Sequence, residues 1–490
     1  MRPILLIMAV CGLLAAALWY VAALAGDAPP PGPAAVFLGA ILAIWVVVAT
    51  RARPPLLFLS AVGFLLLPLF FPRGWLGILP TVVAGLLFWP SVLPVPRRRR
   101  PPDPLRLVLC REAAFPHAPV ALSGEERFLH LHVLGPTGAG KSSAVLLPLI
   151  LQDLDRKDAG LTLFDPKGDL AAAVADACRR RGRPFILFDP SDPACPPVNL
   201  LAGDRVRAAE AAAYAFDKAF GGDNPFYRNL GQNLLRHSLL ALKESLDDRV
   251  RLSHLLALWT DDAFRLRTLS ATTDRVVRAY FRDQFLRWNP RQLQENTAGV
   301  ANQLAAILAN PNVRRAVESD AAFTPHDVLA EGMVLLVVLA PGELGAGASL
   351  LGTLLLAALQ QAAFALVGAG KPHFLYLDEF HLFAASGFAE FLALARSYRV
   401  GAILAHQHLG QLPRELREAV LANARHRLVL GGLSVDDAVV IADSAGAGRR
   451  RGRRTLRYEP TQVRELPRGT ALVQLAGRRP FLGKVKPVRE

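Results

Sequence analysis

The sequence predicts an α/β protein in two parts: apolar helices that cross a membrane, then a mostly parallel sheet with helices on both faces. Three observations carry this prediction. Long apolar runs fill residues 1–94, short aliphatic runs alternate with helical stretches from residue 129, and residues 205–325 interrupt that alternation. Alternating short strands and helices are typical of a parallel sheet. A long Ala-, Leu- and Arg-rich block at helical spacing indicates an inserted all-helical domain.

The apolar N-terminal segment is expected to form about four transmembrane helices. Its four runs, each near the roughly 20 residues that cross a bilayer, are residues 3–24, 34–50, 54–71 and 75–94. With the N-terminus inside, seven flanking arginines are cytoplasmic and only Arg73 is external, as the positive-inside rule requires. A signal peptide cleaved at "ALAGD" and a re-entrant hairpin turning at "TRARPP" are the alternatives for the first and the middle runs.

Charge and cysteine content limit the partners and the compartment. The 490 residues carry a formal net charge of +15, and the first hundred hold eight arginines and one acid, a net +7 that leaves +8 on the rest. A basic body favours an anionic partner. The four cysteines match no metal or disulfide spacing, so reduced thiols in the cytoplasm are expected.

A basic linker connects the membrane segment to the cytoplasmic body. In "PVPRRRRPPDP" (94–104) the prolines favour extended backbone and the arginines suit an anionic lipid surface, so residues 95–128 are assigned to linker and domain entry. The sheet domain is expected in two parts, 129–204 and 326–490. Its predicted strands are 130–134, 161–165, 184–188, 333–340, 374–378, 401–405, 427–431 and 470–475.

A phosphate-binding loop follows the first of these strands. The segment "GPTGAGKSS" fits the pattern G-x-x-x-x-G-K-[ST] between a strand and a helix. Its backbone N–H groups turn onto phosphates, Lys141 supplies a positive charge to the β and γ oxygens, and the Ser142 hydroxyl is a ligand for Mg²⁺. The predicted nucleotide-binding residues are Gly135, Pro136, Thr137, Gly138, Ala139, Gly140, Lys141, Ser142 and Ser143.

Two adjacent carboxylates, Asp378 and Glu379, end the predicted strand "FLYLD". Alone they would repel each other and resist burial, and an Asp-Glu pair that merely opens a loop is the alternative. Beside a phosphate loop, an acid at a neighbouring strand end holds Mg²⁺ and the next residue positions the attacking water. Asp378 is therefore predicted to hold the metal together with Ser142, and Glu379 to act as the base.

Other polar residues follow neighbouring strands and are expected at the same sheet edge. Gln407, in "AHQHLGQL", is a candidate sensor of the γ-phosphate or else a plain loop amide. Arg396, in the predicted helix "GFAEFLALARSYR", is a candidate arginine finger toward a neighbouring subunit or a solvated arginine. Asp165 and Lys167, in "FDPKGDL", are explained equally well by function and by a turn. The histidines beside Gln407 are interpreted as structural.

Together, these motifs resemble a known family. "GPTGAGKSS", "LTLFDPKGDL", "FLYLDEFHLF", "LAHQHLGQL" and "GTALVQLAGRRP" are similar in order and spacing to conjugative coupling proteins of the TraG/TraD type over residues 105–485. The resemblance implies a RecA-like P-loop ATPase that uses ATP and Mg²⁺. It also implies multi-pass anchoring in the bacterial inner membrane, with the catalytic body in the cytoplasm.

The same resemblance implies the assembly and the partners. The family forms a ring, six subunits in the expected case, that threads single-stranded DNA, often with a bound relaxase, toward a type IV secretion channel. By position, the residues that match its phosphate, metal, base, sensor and finger residues are Lys141, Ser142, Asp378, Glu379, Gln407 and Arg396. Four apolar runs instead of two, and "VNLL" in place of Asn-Pro-Leu, depart from the family pattern.

Three other functions stay open on the sequence. An FtsK-like double-stranded DNA translocase is also a ring motor, but residues 476–490 leave no room for a DNA-reading winged helix. A solute-transporter ATPase lacks support because no "LSGGQ"-like signature is present. A membrane scaffold that binds nucleotide without motor activity conflicts with the intact Lys141, Asp378 and Glu379.

An arginine run precedes the last predicted strand. Residues 449–457, "RRRGRRTLR", hold six arginines in nine positions. A solvated loop and a membrane-surface contact are two interpretations. Contact with the phosphates of single-stranded DNA is the third, favoured by the glycines that loosen the segment.

Overall fold

The computed structural model describes residues 103–487, except residues 116, 218–224, 321, 346, 385–386 and 451–452. The chain divides into two units, Met1–Pro101 and Pro102–Glu490, and only the second contains described residues. The predicted membrane runs between residues 3 and 94, and the arginines of the linker, lie outside the described residues.

One eleven-stranded sheet forms the centre of the described unit, in the order β2-β1-β13-β12-β9-β3-β8-β7-β4-β6-β5. The strands, with the separate hairpin β10–β11, are β1 (Leu107–Glu112), β2 (Pro119–Leu122), β3 (Leu131–Leu134), β4 (Gly160–Asp165), β5 (Ile186–Phe188), β6 (Val334–Val338), β7 (His373–Leu377), β8 (Val400–His406), β9 (His426–Leu430), β10 (Ala447–Arg450), β11 (Arg453–Leu456), β12 (Thr470–Gln474) and β13 (Phe481–Lys484). The strands from β9 to β5 are parallel, and those from β12 to β2 pair antiparallel.

Helices cover both faces of this sheet and fill the segment between β5 and β6. The helices are α1 (Gly124–Arg127), α2 (Leu147–Leu154), α3 (Asp169–Arg181), α4 (Arg205–Asp217), α5 (Pro225–Leu246), α6 (Leu252–Thr260), α7 (Asp262–Ala271), α8 (Arg275–Asp283), α9 (Pro290–Ala309), α10 (Pro311–Val317), α11 (Pro325–Glu331), α12 (Pro341–Leu344), α13 (Gly347–Ala365), α14 (Phe388–Leu394), α15 (Arg414–Asn423), α16 (Val435–Ser444) and α17 (Pro460–Arg464). The predicted α/β fold with a mostly parallel sheet is confirmed.

The parallel strands are mostly apolar because both of their faces are buried. In β6, Leu335 and Val337 pack on the side of α13, whereas Leu336 packs on the side of α2 and α3. Among the described helices, α13 is the one long and apolar enough to cross a membrane, and most of it is buried against the sheet. Burial in the core therefore explains why this helix is apolar.

The inserted helices share a core with the sheet. The segment from α4 to α11 contains, among its described residues, no strand of the sheet. Ala209 and Phe216 of α4 belong to the same buried cluster as Leu355 of α13. Inside the insertion, the indole N–H of Trp259 donates to Ser238 Oγ at 2.9 Å. These contacts fix the insertion to one face of the sheet.

The sheet begins earlier than the sequence predicted. β1 and β2 lie within residues 95–128, which were assigned to linker and domain entry, and β13 was also not predicted. The inserted helices follow β5 and precede β6, which correspond to the predicted strands 184–188 and 333–340, so two unpredicted strands change the strand count but not the place of the insertion. Within the arginine run, residues 449–450 and 453–456 belong to the paired strands β10 and β11.

The cysteines of the described region are inert. Cys110, Cys178 and Cys195 are free and buried. Burial raises the pKa of Cys110 and Cys195 to about 12, so both remain protonated thiols at neutral pH.

Candidate nucleotide-binding and hydrolysis site

The phosphate loop lies between the end of β3 and the helix that begins at Lys141. Gly138 and Gly140 have φ values of 79° and 96°, in the left-handed region where glycine avoids the strain that a Cβ would impose. Lys141 Nζ donates to the carbonyl oxygens of Gly135 at 2.8 Å and Pro136 at 3.3 Å. Burial lowers the pKa of this lysine. The ammonium is thus held over its own loop, where a phosphate oxygen is the stronger acceptor.

Ser142 and Asp378 meet across the site. Ser142 Oγ donates to Asp378 Oδ2 at 2.7 Å, although β8 lies between the strands β3 and β7 that lead to them. Asp378 is only 5% exposed. Its pKa is raised, mainly by burial and further by the neighbouring carboxylates of Glu379 and Asp165, while the Ser142 hydrogen bond opposes the shift. A buried carboxylate of this kind is stabilised by a cation.

This pair fits Mg²⁺. The described residues contain no cluster of three or more His, Cys, Asp or Glu side chains that could hold a metal ion, so an all-protein cage is absent there. A hydroxyl and one carboxylate are hard oxygen ligands. Mg²⁺ is commonly held by one or two such protein groups, with water and substrate phosphates completing its coordination.

One carboxylate oxygen of Glu379 accepts a hydrogen bond, and the other does not. Its backbone φ is 47°, and the residue is buried, at 6% exposure. Oε1 accepts a hydrogen bond from Gln407 Nε2 at 2.8 Å. Oε2 is buried without a hydrogen-bond partner, and His381 Nδ1 lies 3.6 Å from it. A buried carboxylate oxygen without a donor is unusual, and it is suited to accept a proton from a water molecule.

Gln407 links this carboxylate to the phosphate loop. It follows β8, and its Oε1 accepts from Thr137 Oγ1 at 2.9 Å. Its backbone N–H donates to Gln411 Oε1 at 2.9 Å, which holds the turn after the strand. The hydrogen bonds therefore run from Thr137 through Gln407 to Glu379. The sequence did not predict this connection, because it joins three segments that are distant in the chain.

The structure brings most of the predicted site residues together and leaves one out. The phosphate loop, Asp378, Glu379 and Gln407 all lie at the carboxyl ends of parallel strands, where ligands bind in open α/β sheets. Arg396 is exposed in the 3₁₀ turn Ala395–Tyr398, which precedes β8. It therefore lies at the opposite edge, and the prediction that it lines the same edge is wrong. The predicted helix ends at Leu394 because the chain tightens into that turn.

The carboxylate of Asp165 accepts hydrogen bonds from the backbone of the turn that follows it. Its Oδ1 accepts from the Lys167 backbone N–H at 3.0 Å and its Oδ2 from the Ala171 N–H at 2.9 Å. Gly168, at φ 85°, precedes α3. Because both carboxylate oxygens are engaged by the backbone, the contacts of Asp165 are those of a turn residue, while its charge still acts on Asp378.

Two histidines lie directly behind the site. His132 of β3 and His406 of β8 are fully buried, with their Nε2 atoms 2.7 Å apart. Burial lowers the pKa of His406 to about 3 and that of His132 well below its ordinary value. The rings are therefore neutral, and one N–H is shared between them. This pair ties the strand of the phosphate loop to the strand of Gln407.

A phosphate loop, a carboxylate pair and an amide at the ends of adjacent parallel strands define a P-loop nucleotide-binding protein. The chain belongs to the type IV secretory system conjugative DNA transfer family, whose family model matches residues 110–447. The resemblance to conjugative coupling proteins seen in the sequence is thereby confirmed.

Solved structures with the same fold support this assignment. The bacterial conjugative coupling protein TrwBdeltaN70, in its unbound monoclinic form, is 18% identical, with a TM-score of 0.56 over 76% of this chain and 87% of that chain. Plasmid coupling protein TrwB in complex with ADP and Mg²⁺ is 19% identical, with a TM-score of 0.56 over 77% and 89%. VirB4 of Thermoanaerobacter pseudethanolicus is 14% identical, with a TM-score of 0.50 over 78% and 96%. No curated protein sequence matches the chain.

Proposed function

We propose that this chain is an ATPase that couples ATP hydrolysis to the transfer of single-stranded DNA, alone or bound to a relaxase, toward a type IV secretion channel. One observation carries the proposal: the hydrogen-bonded set Ser142–Asp378 and Thr137–Gln407–Glu379 surrounds the phosphate loop of a conjugative DNA transfer protein. The complexes of TrwB with ADP and Mg²⁺ and with a non-hydrolysable ATP analogue support the same nucleotide class.

Each residue of the site has a separate role in the proposed hydrolysis of ATP. Lys141 exchanges its two carbonyl contacts for phosphate oxygens, and the loop N–H groups bind the remaining phosphate charge. Gln407 holds Glu379 Oε1, which leaves Oε2 to accept the proton of the attacking water. Ser142 and Asp378 would hold Mg²⁺, which neutralises phosphate charge when it is bound. The buried position of these groups strengthens each electrostatic interaction.

Assembly into a ring of identical subunits, six in the family's usual assembly, would give a role to Arg396, the remaining candidate site residue. Arg396 is exposed at the edge opposite its own phosphate loop, so it can contribute to a nucleotide site only in another copy of the chain. We therefore propose Arg396 as a finger that acts across a subunit interface, in an assembly anchored to the inner membrane by residues 1–94 and facing the cytoplasm.

ATP turnover by the full chain in detergent, with and without single-stranded DNA, tests the function. Stimulation by single-stranded DNA and a weaker response to duplex DNA are expected. Preferential stimulation by duplex DNA would favour an FtsK-like translocase instead. Tight ATP binding with no turnover under either condition would identify a nucleotide-binding scaffold and refute the proposal.

A further inference from the structure

One side chain beside the proposed base has no role in the chemistry described above. His381 follows Glu379 by two residues, in the 3₁₀ turn Phe380–Leu382 that comes after β7. Its side chain is mostly buried, with 18% exposure, and its Nδ1 lies 3.6 Å from Glu379 Oε2. Glu379 starts this turn with a left-handed backbone, which is uncommon for a residue other than glycine and is often found at functional sites. The imidazole is therefore the neighbour of the carboxylate oxygen that accepts no hydrogen bond.

The amide of Gln411 determines which nitrogen of this imidazole carries the proton. Gln411 Oε1 accepts hydrogen bonds from the backbone N–H groups of Gln407 at 2.9 Å and His408 at 3.2 Å. An amide nitrogen in that position would face two donors, so the orientation of the amide is fixed. Its Nε2 is then the donor to His381 Nε2, which lies 3.3 Å away. The Nε2 atom of His381 is therefore an acceptor.

This assignment sets the state of the ring. A neutral imidazole that accepts at Nε2 carries its proton on Nδ1. The Nδ1–H group of His381 is thus the one beside Glu379 Oε2. An imidazolium would place a second N–H group against the amide N–H of Gln411, so the charged ring is disfavoured. The neutral ring with its proton on Nδ1 suits both of its neighbours.

We propose that His381 is a positioning residue for Glu379, the base of the proposed ATP hydrolysis. Gln407 Nε2 already donates to Oε1 at 2.8 Å, and a small shift of either side chain brings the Nδ1–H group within hydrogen-bonding distance of Oε2. One donor on each oxygen then fixes the plane of the carboxylate and stabilises its buried charge. Oε2 keeps a second lone pair for the proton of the attacking water. The inference rests on the proposed function and adds a residue that acts through the base.

Two contacts of the ring have to be separated, because His381 also supports the turn that contains Gln411. The amide nitrogen of an asparagine can take the place of Nδ1, whereas the amide of a glutamine reaches the place of Nε2. His381→Asn therefore keeps a donor beside Glu379. His381→Gln keeps the contact with Gln411 and has no donor at the position of Nδ1. His381→Phe keeps the size of the ring and loses both contacts.

The test is ATP turnover by the full chain in detergent, measured as phosphate release, with ATP affinity from titration of a fluorescent analogue. We expect kcat of His381→Phe to fall by roughly 10–100-fold, the effect of one hydrogen bond to a charged group, and ATP affinity to stay within about twofold. His381→Asn should recover most of the loss, and His381→Gln should not. In a Glu379→Gln background, His381→Phe should cause no further loss, because the base through which it acts is gone.

The matched control is His326→Phe, since His326 is exposed on α11; its turnover should equal that of the wild type. Wild-type turnover by His381→Phe would overturn the proposal. So would a full further loss in the Glu379→Gln background, or higher turnover by His381→Gln than by His381→Asn, which would assign the ring to support of the turn. If thermal unfolding shows that His381→Phe is not folded, the comparison of the Asn and Gln variants decides.

Failure of this inference differs from failure of the proposed function. An inactive wild-type chain, or a Glu379→Gln variant with wild-type turnover, would refute the hydrolysis or its base. Loss of turnover in Glu379→Gln together with normal turnover in His381→Phe would leave that chemistry intact and remove the role of His381 alone.

Discussion

The substitution Glu379→Gln tests the role of Glu379 as the base separately from nucleotide binding. The isosteric amide can present its oxygen to Gln407 Nε2, which now donates to Oε1 at 2.8 Å. Its amide nitrogen then takes the place of Oε2, which has no hydrogen-bond partner to lose. The fold and the phosphate loop are therefore expected to be unchanged. What is lost is the lone pair that accepts a proton from water.

General-base catalysis contributes about 10²–10⁴ in rate, which corresponds to about 2.7–5.4 kcal/mol of transition-state stabilisation at 1.36 kcal/mol per tenfold. We expect kcat of Glu379→Gln to fall by that factor. The affinity for ATP, from titration with a fluorescent analogue, should stay within about twofold because no phosphate contact is removed. Turnover is measured by phosphate release from the full chain.

A matched substitution controls for charge. Glu390 is exposed on α14, close in the chain to Glu379, so Glu390→Gln removes one carboxylate without touching the site. Its turnover should equal that of the wild type. The assignment of Glu379 as base is wrong if Glu379→Gln hydrolyses ATP at the wild-type rate, or if its loss of rate is matched by an equal loss of ATP affinity.

Three further predictions concern the rest of the site and the N-terminal segment. Lys141→Ala should abolish both tight nucleotide binding and turnover, since the phosphates lose their charged partner; saturable ATP binding in a fluorescence titration would contradict this role. Burial raises the pKa of Asp378 in the folded protein. Its negative charge therefore destabilises the fold at pH values above this pKa, and the effect disappears at pH values below the pKa of the same carboxyl group in the unfolded chain. Asp378→Asn, without nucleotide, should therefore raise Tm at about pH 7.5, and the gain should vanish toward about pH 4, near the ordinary Asp pKa; a gain independent of pH would point to another cause. Reporter fusions should be external after residue 30 and cytoplasmic after residues 52 and 100, and a cytoplasmic signal at residue 30 would exclude four passes.

The parallel half of the sheet could be predicted because burial on both faces favours short, mostly apolar runs. Strands such as β4 and β7 are recognisable from their own residues. The antiparallel half lacks that signal. β2 begins with a proline, β1 ends in Arg111 and Glu112, and β13 contains a glycine. β1 pairs with the nearby β2 but also with β13, more than 350 residues further along the chain, so only the tertiary structure reveals that these strands belong to the sheet.

The same distinction between local and long-range information applies to the site. Lys141, Ser142 and their loop are recognisable because one contiguous segment must surround a phosphate. The contact between Gln407 and Glu379 depends on which strands become neighbours, and no local pattern encodes it. The misplacement of Arg396 has the same origin, since a residue before a strand and a residue after it lie at opposite edges. The catalytic roles of these residues stay predictions.

The strand order also determines when the nucleotide site can form during synthesis. β3, which carries the phosphate loop, lies between β8 and β9, and both are made only after most of the chain has left the ribosome. At roughly 5–20 residues per second, the interval between Leu134 and Leu430 is on the order of 15–60 s. During that time the loop is exposed on a strand without its neighbours, so a nascent chain has no complete site for ATP. The apolar N-terminal residues emerge long before, so the membrane insertion proposed for them can begin before the nucleotide site is complete.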